Sequence, residues 1–194
     1  MKKICKIYTT IVLMMFVCQT SLTAQMVGTD AYIKGQYMEF GINGLGGFEG
    51  VDALVSPVPA GMHMRSANNL FGIVGNPQKN GWLDSLYDGD FFTPGSPENG
   101  WGIEIGTTGS MAAGTILGNN CSYLQQLNGA ITSFTTTGSY HTAIWEGNSS
   151  SGDLHLKINY TMHDTALFFA TTVSVTNTSL VTIPDLYYYK NFDP

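Results

Sequence analysis

Residues 154–177 read LHLKINYTMHDTALFFATTVSVTN, and this stretch decides the fold class. In residues 154–163 apolar and polar side chains alternate, which is typical of a strand with one buried face. After a link at residues 163–166, a second run rich in Phe, Val and Thr covers residues 167–177. One face of this run carries Phe169, Thr171, Val173 and Val175. The two runs predict a β-hairpin.

A third run, Thr182 to Asn191, contains three consecutive tyrosines and predicts the next strand. Pro184 restricts its start to a sheet edge or a bulge, because proline has no N–H to donate to a neighbouring strand. A turn at residues 177–179 separates it from the hairpin. Together the three runs predict a three-stranded antiparallel meander.

The earlier part of the chain has the same character but is less regular. Strands are predicted at Tyr32–Ile42, Leu70–Val74 and Trp101–Ile105, and a hairpin around Gly138 joins Ile131–Thr136 to Ser139–Glu146. Clusters of Gly and Asn separate these runs. Only Ser122–Leu127 has room for a helical turn. The sequence therefore predicts an all-β, antiparallel two-sheet β-sandwich of roughly eight to ten strands, forming a single domain over residues 25–194.

The composition supports this fold class. The chain has 194 residues, of which 43% are apolar and 11% charged, with 23 glycines. The charged fraction is less than half of the roughly 25% typical of soluble domains. Such a chain is long and apolar enough to bury a core, which argues against disorder as its dominant state.

The first 24 residues have the layout of a secretory signal peptide. Lys2, Lys3 and Lys6 precede an apolar run at residues 11–17, and small polar residues lead to a cleavage site after Ala24. The apolar run is shorter than the roughly 20 residues that span a bilayer. We therefore expect a secreted or outer-surface protein with no transmembrane segment in the mature chain.

Cleavage would change the charge and the cysteine count. The mature chain would keep five basic and fourteen acidic residues, a net charge of −9. Such a surface repels nucleic acid and anionic membranes, so neither is an expected partner. Cys121 would be left without an intramolecular disulfide partner, and we expect it to pack as a small apolar residue.

Asp84, Asp88 and Asp90 form the densest acidic cluster. Turn formation is the favoured interpretation, because Asp and Gly are common turn residues. Calcium binding is the alternative, since closely spaced carboxylates suit a hard cation outside the cell. Catalysis by paired carboxylates, as in glycoside hydrolysis, is the least favoured interpretation.

No set of residues in the sequence predicts catalysis. The histidines, His63, His141, His155 and His163, lack the short spacing of a metal pair and are expected on solvated strand faces. No Gly-x-Ser-x-Gly segment provides a serine nucleophile. The Gly-rich run at residues 41–50 lacks the lysine and the helix of a phosphate loop.

Aromatic residues are the remaining signal. Trp82, Tyr87, Trp101 and Trp145 are candidate ligand-binding residues, since exposed rings on a β-sandwich stack on sugars. The competing interpretation, that the tryptophans form the core, is the more common arrangement. Residue burial decides between the two.

Several segments resemble an uncharacterised β-rich region in secreted surface proteins of Bacteroidota. They are NGW (80–82), DGDFFTPGSPENGW (88–101), VSVTNT (173–178) and DLYYYKNFDP (185–194). The last segment resembles a Tyr-Tyr-x-Arg-x-x-Asp-Pro-Asp motif, with Lys190 in place of Arg. The resemblance implies the N-terminal module of a longer exported, adhesin-like protein, with a sorting domain beyond residue 194. An incomplete C-terminal end is also expected, because the chain stops directly after a strand-like run.

The long strands and the VSVTNT hairpin are also similar to the β super-sandwich domains attached to carbohydrate-active enzymes. That similarity implies a binding or supporting role, with chemistry elsewhere. We therefore expect a non-catalytic surface module whose partners are glycans or surface proteins. A carbohydrate-binding or accessory domain is the alternative. No cofactor is expected unless calcium binds the aspartates.

Overall fold

A computed structural model describes residues 24–48, 58–63, 71–78, 98–105, 110–116 and 125–193. These residues form twelve strands and no helix. The strands are β1 (Ala24–Val27), β2 (Asp30–Lys34), β3 (Met38–Ile42), β4 (Ile73–Gly75), β5 (Glu98–Ile105), β6 (Ser110–Ile116), β7 (Gln125–Gln126), β8 (Asn128–Thr137), β9 (Tyr140–Asn148), β10 (Leu154–His163), β11 (Ala170–Asn177) and β12 (Leu186–Asp193).

The strands form three four-stranded sheets. Sheet 1 has the order β1-β2-β3-β4, sheet 2 the order β12-β5-β6-β7, and sheet 3 the order β11-β10-β9-β8. All pairs are antiparallel except the short pair of β6 with β7. The fold is therefore all-β and sandwich-like, as the sequence predicted.

Strand β10 is the centre of the hydrophobic core. Its burial alternates at every residue, and Leu156, Ile158 and Tyr160 are among its buried members. The same core contains Ile33 of sheet 1 and Trp101 of sheet 2. Side chains of all three sheets therefore pack in one hydrophobic core. Burial of apolar surface in such a core is the main stabilising contribution in a domain of this kind.

The predicted hairpins of sheet 3 are confirmed. Gly138 has a φ of +59° and forms the turn between β8 and β9, where a left-handed backbone suits glycine. Strands β10 and β11 pair in the predicted order, although β11 begins at Ala170 and not at residue 167.

The prediction of one long strand over Tyr32–Ile42 is wrong. The chain turns at residues 35–37, where the Gly35 N–H donates to the Met38 carbonyl at 2.8 Å, so β2 and β3 form a hairpin. A Cβ at Gly35 would lie 2.9 Å from the Asp164 carbonyl oxygen and from Met162 Cε. The turn therefore needs a glycine, and its neighbours come from β10 and the turn that follows it.

The predicted meander is also corrected. Strand β12 pairs with β5 in sheet 2, with Tyr188 opposite Ile103, and not with β11. The linker at residues 178–185 carries the chain to the other sheet, and Asp185 enters β12 with a φ of +49°. As a result, β11 is an edge strand of sheet 3.

The sequence left room for a helical turn at Ser122–Leu127. This prediction is wrong for residues 125–127, the part of the range that the structure describes. Gln125 and Gln126 form β7, which pairs in parallel with β6. Residues 58–63, which include Pro59, lie in a loop. None of the described segments is a helix long and apolar enough to cross a membrane.

Candidate functional site

A cavity of about 240 Å³ lies between sheet 3 and strand β12. Strands β10, β11 and β12 supply its walls, together with one residue after β3 and one residue before β11. The lining residues are Phe48, Tyr160, Phe169, Thr171, Val173, Tyr188 and Lys190. We call this space the aromatic cavity.

Ring contacts build its base. The Phe48 ring lies edge-on to Tyr160, with centroids 5.1 Å apart, and 4.9 Å from Phe169. The Phe169 ring also contacts Phe40 at 4.5 Å. Phe48 and Tyr160 are fully buried, whereas Phe169 and Tyr188 are half-buried at the margin. The aromatic cavity therefore lies at the margin of the hydrophobic core, with both fully buried and half-buried rings in its lining.

The polar groups that line the cavity are the hydroxyls of Tyr160 and Tyr188 and the ammonium group of Lys190, besides Thr171. The Tyr160 hydroxyl donates a hydrogen bond to the Gly46 carbonyl at 2.6 Å. Burial raises the pKa of Tyr160 well above its usual value, and burial raises the pKa of Tyr188 to about 12. Both phenols are therefore neutral at physiological pH. Lys190 Nζ lies 4.9 Å from the Phe48 ring centroid, within reach of a cation–π interaction.

A second cavity, of about 420 Å³, lies further along β11. It is bounded by Leu154, Val175 and Asn177 of sheet 3, by Leu186, and by the linker that leads to β12. Thr171 and Val173 line the aromatic cavity, and Val175 and Asn177 line this second one. The inner face of β11 therefore borders both spaces in succession.

Two polar clusters lie apart from these cavities and connect separate segments. The Glu39 carboxylate is fully buried and accepts hydrogen bonds from the backbone N–H of His63 and from its Nδ1, both at 2.6 Å. Lys34 Nζ lies 3.6 Å from the same carboxylate. Because a buried carboxylate needs such partners, this cluster fastens residues 58–63 to sheet 1.

The second cluster is centred on His141, whose ring is buried and not solvated as predicted. Its Nδ1 lies 3.0 Å from Thr136 Oγ1 and its Nε2 lies 2.5 Å from Asp164 Oδ1. The backbone N–H of Asp164 donates to Ser139, and its carbonyl accepts from Gln36. This hydroxyl–imidazole–carboxylate series therefore joins three turns of the fold.

His155 and His163 lie on the outer face of β10, as predicted for solvated strand faces, whereas His63 lies in the loop at residues 58–63. His155 Nε2 is 3.6 Å from Glu146, which Lys157 also approaches to 3.5 Å. A hydrogen bond from Thr132 is the largest cause of the lowered pKa of Glu146. These are exposed contacts on the outer face of sheet 3, where ion pairs contribute little to stability.

Trp101 and Trp145 are core residues. Both rings are buried and meet edge-on with centroids 5.1 Å apart. The Trp145 N–H donates to the Gly44 carbonyl at 3.0 Å, and Gly129 and Gly147 leave space for its ring, since a Cβ at either would overlap it. This burial corrects the interpretation of the two tryptophans as exposed ligand-binding rings.

The remaining candidate residues, Trp82, Tyr87, Asp84, Asp88 and Asp90, lie outside the described residues. Their assignments as aromatic anchors and calcium ligands stay predictions. Within the described ranges, no cluster of three His, Cys, Asp or Glu side chains could hold a metal ion.

Sequence reasoning found only part of the aromatic cavity. It placed Phe169, Thr171 and Val173 on one face, which is confirmed, since all three line the cavity. It missed Phe48 and Lys190, because the first lies at the end of a Gly-rich run and the second was placed in a meander. Comparison with known protein families, curated proteins and solved structures finds no match to this chain.

Proposed function

We propose that this chain is a non-catalytic, adhesin-like binding module of an exported cell-surface protein, and that the aromatic cavity is its ligand site. One observation carries the proposal: four aromatic rings and a lysine line a partly open space of about 240 Å³ at the margin of the core. A concave, mostly apolar space with few polar groups is the usual form of a ligand pocket.

The lining indicates the kind of group that the cavity accepts. Its volume is below the roughly 300–1,000 Å³ of pockets for drug-sized ligands, so it suits one ring or one branched apolar group. Tyr188 supplies a neutral hydroxyl, and Thr171 a second one at the exposed margin. We therefore expect a side chain or a single sugar ring of a larger surface molecule.

A carbohydrate-binding accessory domain is the second candidate. The half-buried rings of Phe169 and Tyr188 favour it, because aromatic faces pack against the apolar faces of sugar rings. Trp82 and Tyr87 are further proposed anchors for that ligand. Glycan retention that is lost in Trp82→Ala would support their role.

The experiment compares two tryptophan substitutions on one strand. Thr171→Trp would fill the aromatic cavity, whereas Thr172→Trp, on the other face of β11, is the matched control. Saturation-transfer NMR with methyl hexosides and with aromatic dipeptides measures binding, and circular dichroism verifies the fold. We expect binding by the wild type and Thr172→Trp, and loss of binding in Thr171→Trp.

The two probe classes separate the two candidates. Binding of aromatic dipeptides supports the protein-binding module, and binding of methyl hexosides alone supports the carbohydrate candidate. The proposed site is refuted if neither class binds the wild type, or if Thr171→Trp binds as the wild type does.

A further inference from the structure

Among the described strands, none pairs with one of the two backbone edges of β11. The Thr178 N–H donates to the Asp153 carbonyl at 2.8 Å, and this bond fixes which residues of the antiparallel pair exchange hydrogen bonds. By alternation, Thr172, Ser174 and Thr176 bond to β10. The backbone groups of Thr171, Val173, Val175 and Asn177 point away from β10, towards an edge on which no described strand pairs.

This edge lacks the usual protection. Exposed edge strands normally carry charges, prolines or bulges that prevent pairing with another chain. Strand β11 reads ATTVSVTN, has neither charge nor proline, and pairs with β10 without a register shift. The opposite edge strand, β8, has a shift between Ile131 and Ser133 and contacts β1 and β2. Pairing is therefore favoured at β11.

We propose that β11 pairs antiparallel with β11 of a second copy of this chain, forming a two-fold symmetric dimer. The register follows from the outward backbone groups. With Ser174 at the two-fold axis, Thr171 lies opposite Asn177 of the second copy and Val173 opposite its Val175. All four outward residues of each strand are then paired, adding about eight backbone hydrogen bonds.

The exposed apolar residues at the two ends of β11 identify a second copy as the occupant. Leu167 and Phe168, 74% and 71% exposed, precede the strand, and Leu180 and Val181, 105% and 69% exposed, follow it. Antiparallel pairing of the two strands places Leu167 and Phe168 at the same end of the interface as Leu180 and Val181 of the second copy. One two-fold axis therefore covers both apolar patches in both copies.

The charge pattern is compatible with self-pairing. The chain as a whole is acidic, with a formal net charge of −6, so two copies repel each other at long range. The strand itself is uncharged, so no like charges of β11 meet across the axis. Because salt screens long-range repulsion, we expect the dimer to tighten as ionic strength rises.

Charge substitutions at the axis test this arrangement. Ser174 is exposed, and its register partner on β10 is Lys157, so both Ser174→Lys and Ser174→Glu fall on the solvated outer face. Sedimentation velocity over a concentration series measures the dimer, with circular dichroism as the check on folding. We expect each substitution alone to raise the dimer Kd about threefold to fivefold, since like charges then oppose each other across the axis.

An equimolar mixture of the Lys and Glu variants is expected to recover dimerisation, because opposite charges then meet. Leu180→Ser, at a fully exposed position, is expected to weaken the dimer without affecting the fold. Thr135→Lys on the outer edge strand β8 is the matched control and leaves the Kd unchanged.

A wild-type chain that stays monomeric at about 100 μM overturns the proposal, because the dimer Kd would then lie well above that concentration. A dimer insensitive to Ser174→Lys places the interface elsewhere and also overturns it. A monomer that instead captures an extended apolar peptide at β11 assigns the edge to another partner. The test of the aromatic cavity is separate, because it measures ligand binding and not the dimer Kd.

Discussion

Replacement of Trp145 by alanine is expected to lower the free energy of unfolding by about 3–5 kcal/mol, the usual range for a buried tryptophan. The ring is fully buried and contacts Trp101 edge-on at 5.1 Å. Its N–H donates to the Gly44 carbonyl at 3.0 Å. Since domains are stable by only about 5–15 kcal/mol, this single change would remove a large part of the stability.

The aromatic surface and the hydrogen bond of Trp145 can be separated. Trp145→Phe keeps a six-membered ring in the core but removes the N–H, which leaves the Gly44 carbonyl without this donor. Because Gly44 is only half-buried, the cost is expected at or below the low end of the roughly 1–3 kcal/mol for a buried unsatisfied group. We therefore expect Trp145→Phe to lie between the wild type and Trp145→Ala.

Urea unfolding followed by far-ultraviolet circular dichroism is the assay, because its signal reports the strands and not the tryptophan removed. Tyr187→Ala is the control, since Tyr187 is an aromatic residue that is 55% exposed, and a loss under about 1 kcal/mol is expected there. If Trp145→Ala costs no more than this control, Trp145 is not a core residue and the account of its burial is refuted.

Four further predictions use other parts of the chain. Burial raises the pKa of Tyr188 to about 12, against about 10 in the unfolded chain. The contribution of its neutral form to stability is therefore complete below pH 10 and falls as the pH rises towards 12. Urea titrations at a series of pH values should show this fall in the wild type and a smaller one in Tyr188→Phe. Asp164→Asn should lower the unfolding free energy by about 1–3 kcal/mol at pH 7, since it weakens the contact with His141, and an unchanged urea midpoint would contradict that role. If the aspartates of residues 84–90 hold calcium, a chelator should lower the melting temperature, and calcium should restore it; an unchanged melting temperature would exclude that site. N-terminal sequencing of the exported protein should begin at Gln25, and an uncleaved terminus would refute the signal peptide.

The fold class was predictable because its evidence is local. Alternation from Leu154 to His163 is a property of consecutive residues, and the same alternation appears in their burial. The turn at Gly138 is equally local, since one left-handed glycine reverses the chain. Such features need no knowledge of which strand lies beside which.

The errors arose where partners are distant in sequence. Residues 32–42 mix large apolar residues with Lys34, Gln36 and Glu39, and most residues of β2 and β3 are buried. No simple alternation therefore marks the turn at Gly35. The burial of Trp145 depends on Gly44, about a hundred residues earlier in the chain. A single sequence shows neither contact, and the same limit hid the contribution of Phe48 to the aromatic cavity.

The largest correction, the pairing of β12 with β5, also explains why the candidate sites lie where they do. Had β12 continued the meander, it would have paired with the outer edge of β11. Instead the linker carries Tyr188 and Lys190 across to the other sheet, where they form a wall of the aromatic cavity. The crossing that builds the cavity on the inner face of β11 thus also leaves its outer backbone edge without a partner among the described strands. The proposed ligand binding and the proposed self-association would therefore use different sides of one strand, and a substitution at Ser174, on the outer face, should affect the second without the first.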